Sequence, residues 1–157
     1  MTLSINKTFV WDGITVNIAL PQDYDGSRPY PAVLLNDGQI NYLSRLSSSV
    51  ILIGLISNNR LDDYTPWKAN ALKPGNPDFG GRADSYHQKL FNGILAEIRQ
   101  HYLLDDKRIA YGGYSLGGLA AVYSLYNECK ISCVFSICGS FWYSGFTDYC
   151  RTQELKN

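Results

Sequence analysis

The residues with the clearest capacity for chemistry are Gly112-Gly113-Tyr114-Ser115-Leu116-Gly117-Gly118, which set Ser115 in the pattern G-x-S-x-G. The apolar run Arg108-Ile109-Ala110-Tyr111 precedes them, and Leu119, Val122, Tyr123 and Tyr126 follow at helical spacing. A serine on a sharp strand-to-helix turn is a nucleophile elbow: its hydroxyl projects above the sheet edge, and the flanking glycines keep side chains out of the neighbouring strand and helix. The helix that follows brings its positive dipole end close to the reacting oxygen. The Leu116 N–H is then positioned as one donor to an oxyanion. Such a serine needs an imidazole base with a carboxylate behind it, and around this elbow both come later in the chain. No histidine follows Ser115 in the 157 residues.

The two histidines both precede it. His101 closes the helix that feeds the strand before the elbow, four residues after Glu97. There a cation suits the helix C-terminus and the acidic neighbour. That helix end lies across the sheet from Ser115, and a five-residue strand alone spans about 17 Å. His87 lies near the start of the same helix, on the side of Ser115, beside Phe91 at the margin of the apolar face. A base role is open to it, but packing is the simpler reading. Asp62 and Asp63 read as solvated loop charges.

Those residues need a sheet and helices to hold them, and the composition supplies the material. The chain is 45% hydrophobic and 13% aromatic, enough for one domain with a buried core. Fourteen basic and fourteen acidic residues cancel, with no basic stripe, which argues against a nucleic-acid partner. No segment approaches the roughly 18 apolar residues of a membrane span, and Met1 to Lys7 lacks the charged start and apolar core of a signal peptide. The expected setting is the cytoplasm, with no membrane partner. All four cysteines, Cys129, Cys133, Cys138 and Cys150, lie in the last third. Without a C-x-x-C pair they read as reduced thiols in or near a core.

Asp12-Gly13 between Phe9-Val10-Trp11 and Ile14–Leu20 predicts a hairpin, with Ile14, Val16, Ile18 and Leu20 on one face. Pro31–Asn36 and Val50–Ile56 read as strands, the second apolar at every residue, as in a parallel sheet covered on both sides. A weak helical pattern spans Ile40 to Ser47. Ser57 to Ala83 reads as a long irregular stretch, the kind of loop that usually has a function. From Asp84, a plausible N-cap, Tyr86, Leu90, Ile94 and Ile98 recur every four residues and predict a helix. Ser132–Cys138 is a further strand, ending at Gly139-Ser140-Phe141-Trp142-Tyr143, and a short helix is expected between Phe146 and Leu155. A hairpin followed by strand–helix alternation implies an α/β domain with a mostly parallel sheet.

Four segments then occur in a telling order: Leu34-Leu35-Asn36-Asp37-Gly38, Asn59-Arg60-Leu61-Asp62-Asp63-Tyr64-Thr65-Pro66-Trp67, Gly112 to Gly118, and Gly139 to Tyr143. Through them the chain resembles the putative esterase branch of the α/β-hydrolase superfamily, which includes esterase D and the enterochelin esterases. The resemblance runs from the hairpin to the last residues. It implies an α/β-hydrolase-like three-layer sandwich, with an N-terminal antiparallel hairpin, formed by residues 1–157 as a single incomplete domain without the last strands. It implies a serine esterase acting on a small-molecule ester without cofactor or metal. Ser115 would be the nucleophile, and the Leu116 and Gln39 N–H groups the oxyanion hole. Arg60, Trp67, Tyr114, Trp142 and Tyr143 are substrate-pocket candidates. For Arg60 a loop-pinning salt bridge competes with ligand contact, and for Trp142 a core position competes with the pocket. Asp37 reads as a turn and hydrogen-bonding residue.

Members of this family continue with strands whose loops carry the acid and the histidine, so the chain reads as C-terminally truncated and catalytically impaired. The strand 132–138 would then be an open edge, inviting a homo-oligomer. Two alternatives stand beside the esterase: a non-catalytic remnant or interaction module that self-associates through that edge, and an acyltransferase like the superfamily's mycolyl-transfer enzymes. The sequence does not choose among esters.

Overall fold

A computed structural model describes residues 3–127 and 131–156. At the first turn Asp12 and Gly13 both adopt positive φ, 43° and 81°, as a two-residue link between right-twisted strands demands. Strands β1 (Lys7–Trp11) and β2 (Ile14–Ala19) therefore pair antiparallel, with Trp11 opposite Ile14. Next come β3 (Tyr30–Asn36), a 3₁₀ helix (Ile40–Leu46) where the weak helical pattern lay, and β4 (Ile51–Ser57). The stretch expected to be irregular contains a short helix, α1 (Arg60–Asp63), and a ribbon of two two-residue strands, β5 (Lys68–Ala69) and β6 (Phe79–Gly80). Its side chains carry no amphipathic period because the pieces are too short to show one.

Three segments form one unbroken helical run: α2 (Ala83–Gln88), a π-helical turn (Lys89–Ile94) and α3 (Leu95–His101). A strict four-residue repeat drifts by about 40° per step on a regular α-helix. The wider π turn absorbs that drift, so Tyr86, Leu90, Ile94 and Ile98 are all buried. Asp84 is not the N-cap expected. The helix begins at Ala83, and the Asp84 carboxylate instead accepts hydrogen bonds from Tyr123 Oη at 3.0 Å and Asn127 Nδ2 at 2.8 Å. The chain closes with β7 (Leu104–Tyr114), α4 (Leu116–Asn127), β8 (Cys133–Ile137) and α5 (Phe146–Thr152). Strand β7 extends well beyond the apolar run Arg108–Tyr111. Its polar start, Asp105 to Arg108, falls in a register shift between the pairs Tyr30–Leu104 and Ala32–Ile109, where Asp106, Lys107 and Arg108 are exposed.

The six long strands form one mixed sheet in the order β1-β2-β4-β3-β7-β8. β4, β3, β7 and β8 are mutually parallel, and β2 joins β4 antiparallel. Ile51, Leu52, Ile53 and Leu55 of β4 are fully buried, as the uninterrupted apolar run predicted. One sheet face packs against the long helical run and α4 in the main core. The other carries a smaller cluster of Ala19, Leu35, Ile40 and Leu52 beside the 3₁₀ helix. No helix among the described residues is long and apolar enough to cross a membrane.

Among the described residues β8 pairs only with β7 and is an edge strand. Of the thiols expected in or near a core, Cys150 is half-buried against the main core, whereas Cys133 and Cys138 correct the expectation by lying exposed on or beside that edge; all three are free. Cys129 lies outside the described residues. An unpaired strand edge templates pairing with another chain, and charge blunts it. Static light scattering of the chain should therefore show mass rising with concentration, and Cys133→Lys should suppress the rise. A mass that stays at one chain over the whole concentration range would contradict this.

Candidate active site

Ser115 separates β7 from α4 with a φ of +56°. A left-handed backbone at a non-glycine residue is strained and persists only where the surroundings impose it. Here the restraints are visible. The Ser115 N–H donates to the Ile137 carbonyl at 3.0 Å, and the Ser115 carbonyl accepts from the N–H groups of Leu119 at 3.0 Å and Ser140 at 3.1 Å. The turn is so tight that a Cβ on Gly113 would lie 2.5 Å from the Gly117 carbonyl carbon, and one on Gly117 only 3.0 Å from Asn36 Cβ. The Ser115 hydroxyl is half-exposed and sits 3.1 Å from the hydroxyl of Ser140, itself 1% exposed. Sequence reasoning quoted Ser140 in a motif but gave it no role, because only the fold brings the end of β8 beside the elbow.

The second half of the site follows β3. Asp37 and Gly38 take successive positive φ values of 62° and 65°, turning the chain sharply into Gln39 and the 3₁₀ helix. The Asp37 carboxylate accepts from Arg60 Nε at 2.9 Å and Nη2 at 3.1 Å, and the Asp37 N–H donates to Tyr64 Oη at 3.0 Å. Arg60 is thus the salt bridge that pins this loop, and its hydrogen bond to Asp37 raises its pKa further. Leu116 begins α4, so its N–H has no intrahelical acceptor. Gln39 and Tyr114 both line a cleft of about 460 Å³, together with Leu35, Tyr42, Leu43 and Ile137.

Beneath these loops lies a buried polar network. Asn36 Nδ2 donates to the Gly117 carbonyl at 2.9 Å and to Tyr111 Oη at 2.8 Å, while its Oδ1 accepts from Tyr86 Oη at 2.8 Å. His87 Nε2 lies 3.3 Å from Tyr111 Oη, and its Nδ1 lies 2.9 Å from Asn127 Nδ2. Since the amide donates to Nδ1, the ring proton belongs on Nε2, directed at Tyr111. Burial pushes the Tyr86 and Tyr111 hydroxyls well up and lowers His87 to about 4 despite the nearby Asp84 carboxylate. His87 is therefore a neutral, fully buried packing residue with both nitrogens engaged, stacked on Phe91. His101 pairs with Glu97 at 3.2 Å on an exposed helix end.

Three pocket candidates lie elsewhere. Tyr143 is 2% exposed and donates its hydroxyl to the Trp67 carbonyl. Trp67 donates its indole N–H to the Ser144 carbonyl at 2.9 Å, with its ring against Tyr143, Phe146 and Tyr149. Both serve an aromatic cluster that fixes the segment after β8, not a ligand wall. Trp142 is 54% exposed, so it belongs to neither the core nor the cleft, and rests against Phe79. Of the candidates, the structure brings together Ser115, Leu116, Gln39 and Tyr114. Among the described residues no group of His, Cys, Asp and Glu is disposed to hold a metal.

This geometry matches known proteins. Residues 10–146 match the family described as Putative esterase, and the chain belongs to that family. It is 31% identical over 152 residues to the Uncharacterized protein YbbA of Bacillus subtilis (strain 168), an alignment covering 87% of this chain and 61% of that protein. The solved IroE-like serine hydrolase from Shewanella oneidensis is similar at 25% identity and a TM-score of 0.77, over 87% of this chain and 49% of that one. The solved enterobactin and salmochelin hydrolase IroE gives a TM-score of 0.75 at 21% identity, over 97% of this chain and 69% of that one. The chain therefore spans roughly half to two thirds of the length of these relatives. The fold is that of the α/β-hydrolase esterases over this partial length.

Two outcomes test the network. Asn36→Leu would leave the Tyr86 hydroxyl without this acceptor in the core and cut the link to the Gly117 carbonyl, at a cost of about 2–4 kcal/mol in urea denaturation. His87 gives a pH signature. Folded His87 takes a proton only near pH 4, whereas its ordinary value is 6.5. Between those values the unfolded chain binds more protons, so stability present above pH 6.5 is lost as the pH falls. The loss attributable to His87 should reach about 2 kcal/mol by pH 5, and His87→Gln should remove that part of the slope.

Proposed function

We propose that this chain carries the nucleophile and oxyanion half of a serine ester hydrolase. The observation that supports this is Ser115 itself: a left-handed, half-exposed serine between β7 and α4, beside the cleft that holds Gln39 and Tyr114. In this reading Ser115 Oγ attacks the carbonyl carbon of a carboxylic ester and the C=O electron pair moves onto oxygen. The Leu116 and Gln39 N–H groups hold the resulting oxyanion. Collapse of the intermediate breaks the bond to the alcohol, which leaves with the proton that Ser115 Oγ gave up, and the acyl group remains on Ser115 as an ester until water releases it.

The proton from Ser115 needs an acceptor. Ser140 Oγ fixes the hydroxyl but is no base at neutral pH, His87 is engaged in the core, and His101 is paired with Glu97. Loss of the base in a serine hydrolase costs up to about 10⁶ in kcat, with roughly 10³ over water left to the oxyanion hole and binding. The same observation favours a second reading, a non-catalytic member whose serine hydroxyl pairs, among the described residues, with another serine. Enterobactin and salmochelin are the substrates named for IroE; at that identity the likeness carries the fold, and the substrate class here stays at carboxylic esters.

A fluorophosphonate probe separates the two readings. Slow stoichiometric labelling, seen as a mass increment lost in Ser115→Ala, is the outcome expected, with steady-state hydrolysis of 4-nitrophenyl acetate near background. Absence of any label would favour the non-catalytic member. Fast turnover abolished by Ser115→Ala would show that a base had been overlooked.

A further inference from the structure

Scattered exposed apolar residues are ordinary; a convergent set of them beside polar reactive groups is not. Tyr42 is 82% exposed, Tyr114 49% and Ile137 46%, and all three line the same cleft of about 460 Å³, with Leu35 and Leu43 behind them. The lining contains no charged side chain, and its polar side-chain groups are the Gln39 amide and the tyrosine hydroxyls. A carboxylate or ammonium entering it would lose water without gaining a partner. Two other clefts differ in kind. One is bordered by Gln22, Ser44, Arg45, Ser47 and Ser48, and another by Asn58 to Asp62 with Pro77 and Asp78. Both are polar and carry charge.

The apolar cleft is also tied to Ser115 by covalent and hydrogen bonds. Tyr114 is its chain neighbour, and Ile137 offers the carbonyl that receives the Ser115 N–H at 3.0 Å. Gln39 follows the Asp37 turn that Arg60 and Tyr64 hold. Cleft and hydroxyl therefore keep a fixed relation. We infer that this cleft binds the apolar, uncharged group of an ester whose carbonyl lies at Ser115, with Tyr42 as its exposed outer wall and an aromatic ring as the preferred occupant. Flat rings suit tyrosine-lined walls, which gain from edge and face contacts beyond area alone. The inference rests on the reading of Ser115 as the nucleophile and extends it to a substrate class: aryl esters over anionic ones.

Binding can be measured without turnover. Ethyl benzoate and, separately, the anionic monoethyl succinate are titrated into ¹⁵N-labelled Ser115→Ala protein. Ethyl benzoate should shift the Gln39, Tyr42, Tyr114 and Ile137 amides saturably, and monoethyl succinate should not. Tyr42→Ala, at an exposed position that leaves the core intact, should weaken ethyl benzoate about tenfold, while Tyr42→Phe should not. Shifts confined to other surfaces, none at all, or equal response to the anion would overturn the inference. The fluorophosphonate result keeps the two claims apart. A labelled Ser115 with a silent cleft defeats the substrate class alone, whereas a filled cleft with an unlabelled Ser115 defeats the esterase reading alone.

Discussion

The side chain of Asn36 is the point on which the rest of the site depends. It stands at the end of β3, with no exposure to solvent, and reaches across to the Gly117 carbonyl in the first turn of α4. A single amide thus joins the strand that leads into Gln39 to the helix that begins at Leu116. Its remaining capacity is taken by Tyr86 and Tyr111. A buried amide that satisfies all its neighbours is worth more through the penalty of removing it than through the net strength of its bonds. The two N–H groups proposed for the oxyanion are held in register by this link and by the Arg60–Asp37 pair.

The same burial decides protonation. The tyrosine hydroxyls remain protonated and His87 remains neutral because charging either inside the core would cost solvation that hydrogen bonds do not return. A chain with two histidines consequently commits one to core packing and the other to an exposed helix end. His87 thus serves the network beneath the elbow and not the Ser115 hydroxyl.

Strand β8 serves both sheet and site. It is an edge strand, yet its last carbonyl receives the Ser115 N–H, and the turn after it supplies both contacts of Ser140 with Ser115. The aromatic cluster of Trp67, Tyr143, Phe146 and Tyr149 anchors the segment that follows. Whatever covers or pairs with that edge acts on the elbow through backbone hydrogen bonds, which transmit displacement with little slack.

Local pattern was enough for much of the architecture. The Asp12-Gly13 turn, the doubly apolar β4 and the G-x-S-x-G elbow between a strand and a helix are encoded in neighbouring residues, so the sequence by itself determined the sheet-with-helices fold and the serine at its rim. Spacing also disclosed the helical run at Tyr86, Leu90, Ile94 and Ile98, though not the π turn that makes a four-residue repeat fit. Short pieces such as α1 and the β5–β6 ribbon left no period to read. The roles of Asn36, Ser140, Tyr42 and His87 depended on partners up to 81 residues apart. Hydrogen bonds and desolvation act through space, and no pattern along the chain records which polar groups will meet once the core has closed. Tertiary structure alone decided that Tyr143 and Trp67 would pack, that Arg60 would clamp a loop, and that an apolar cleft would open beside the serine.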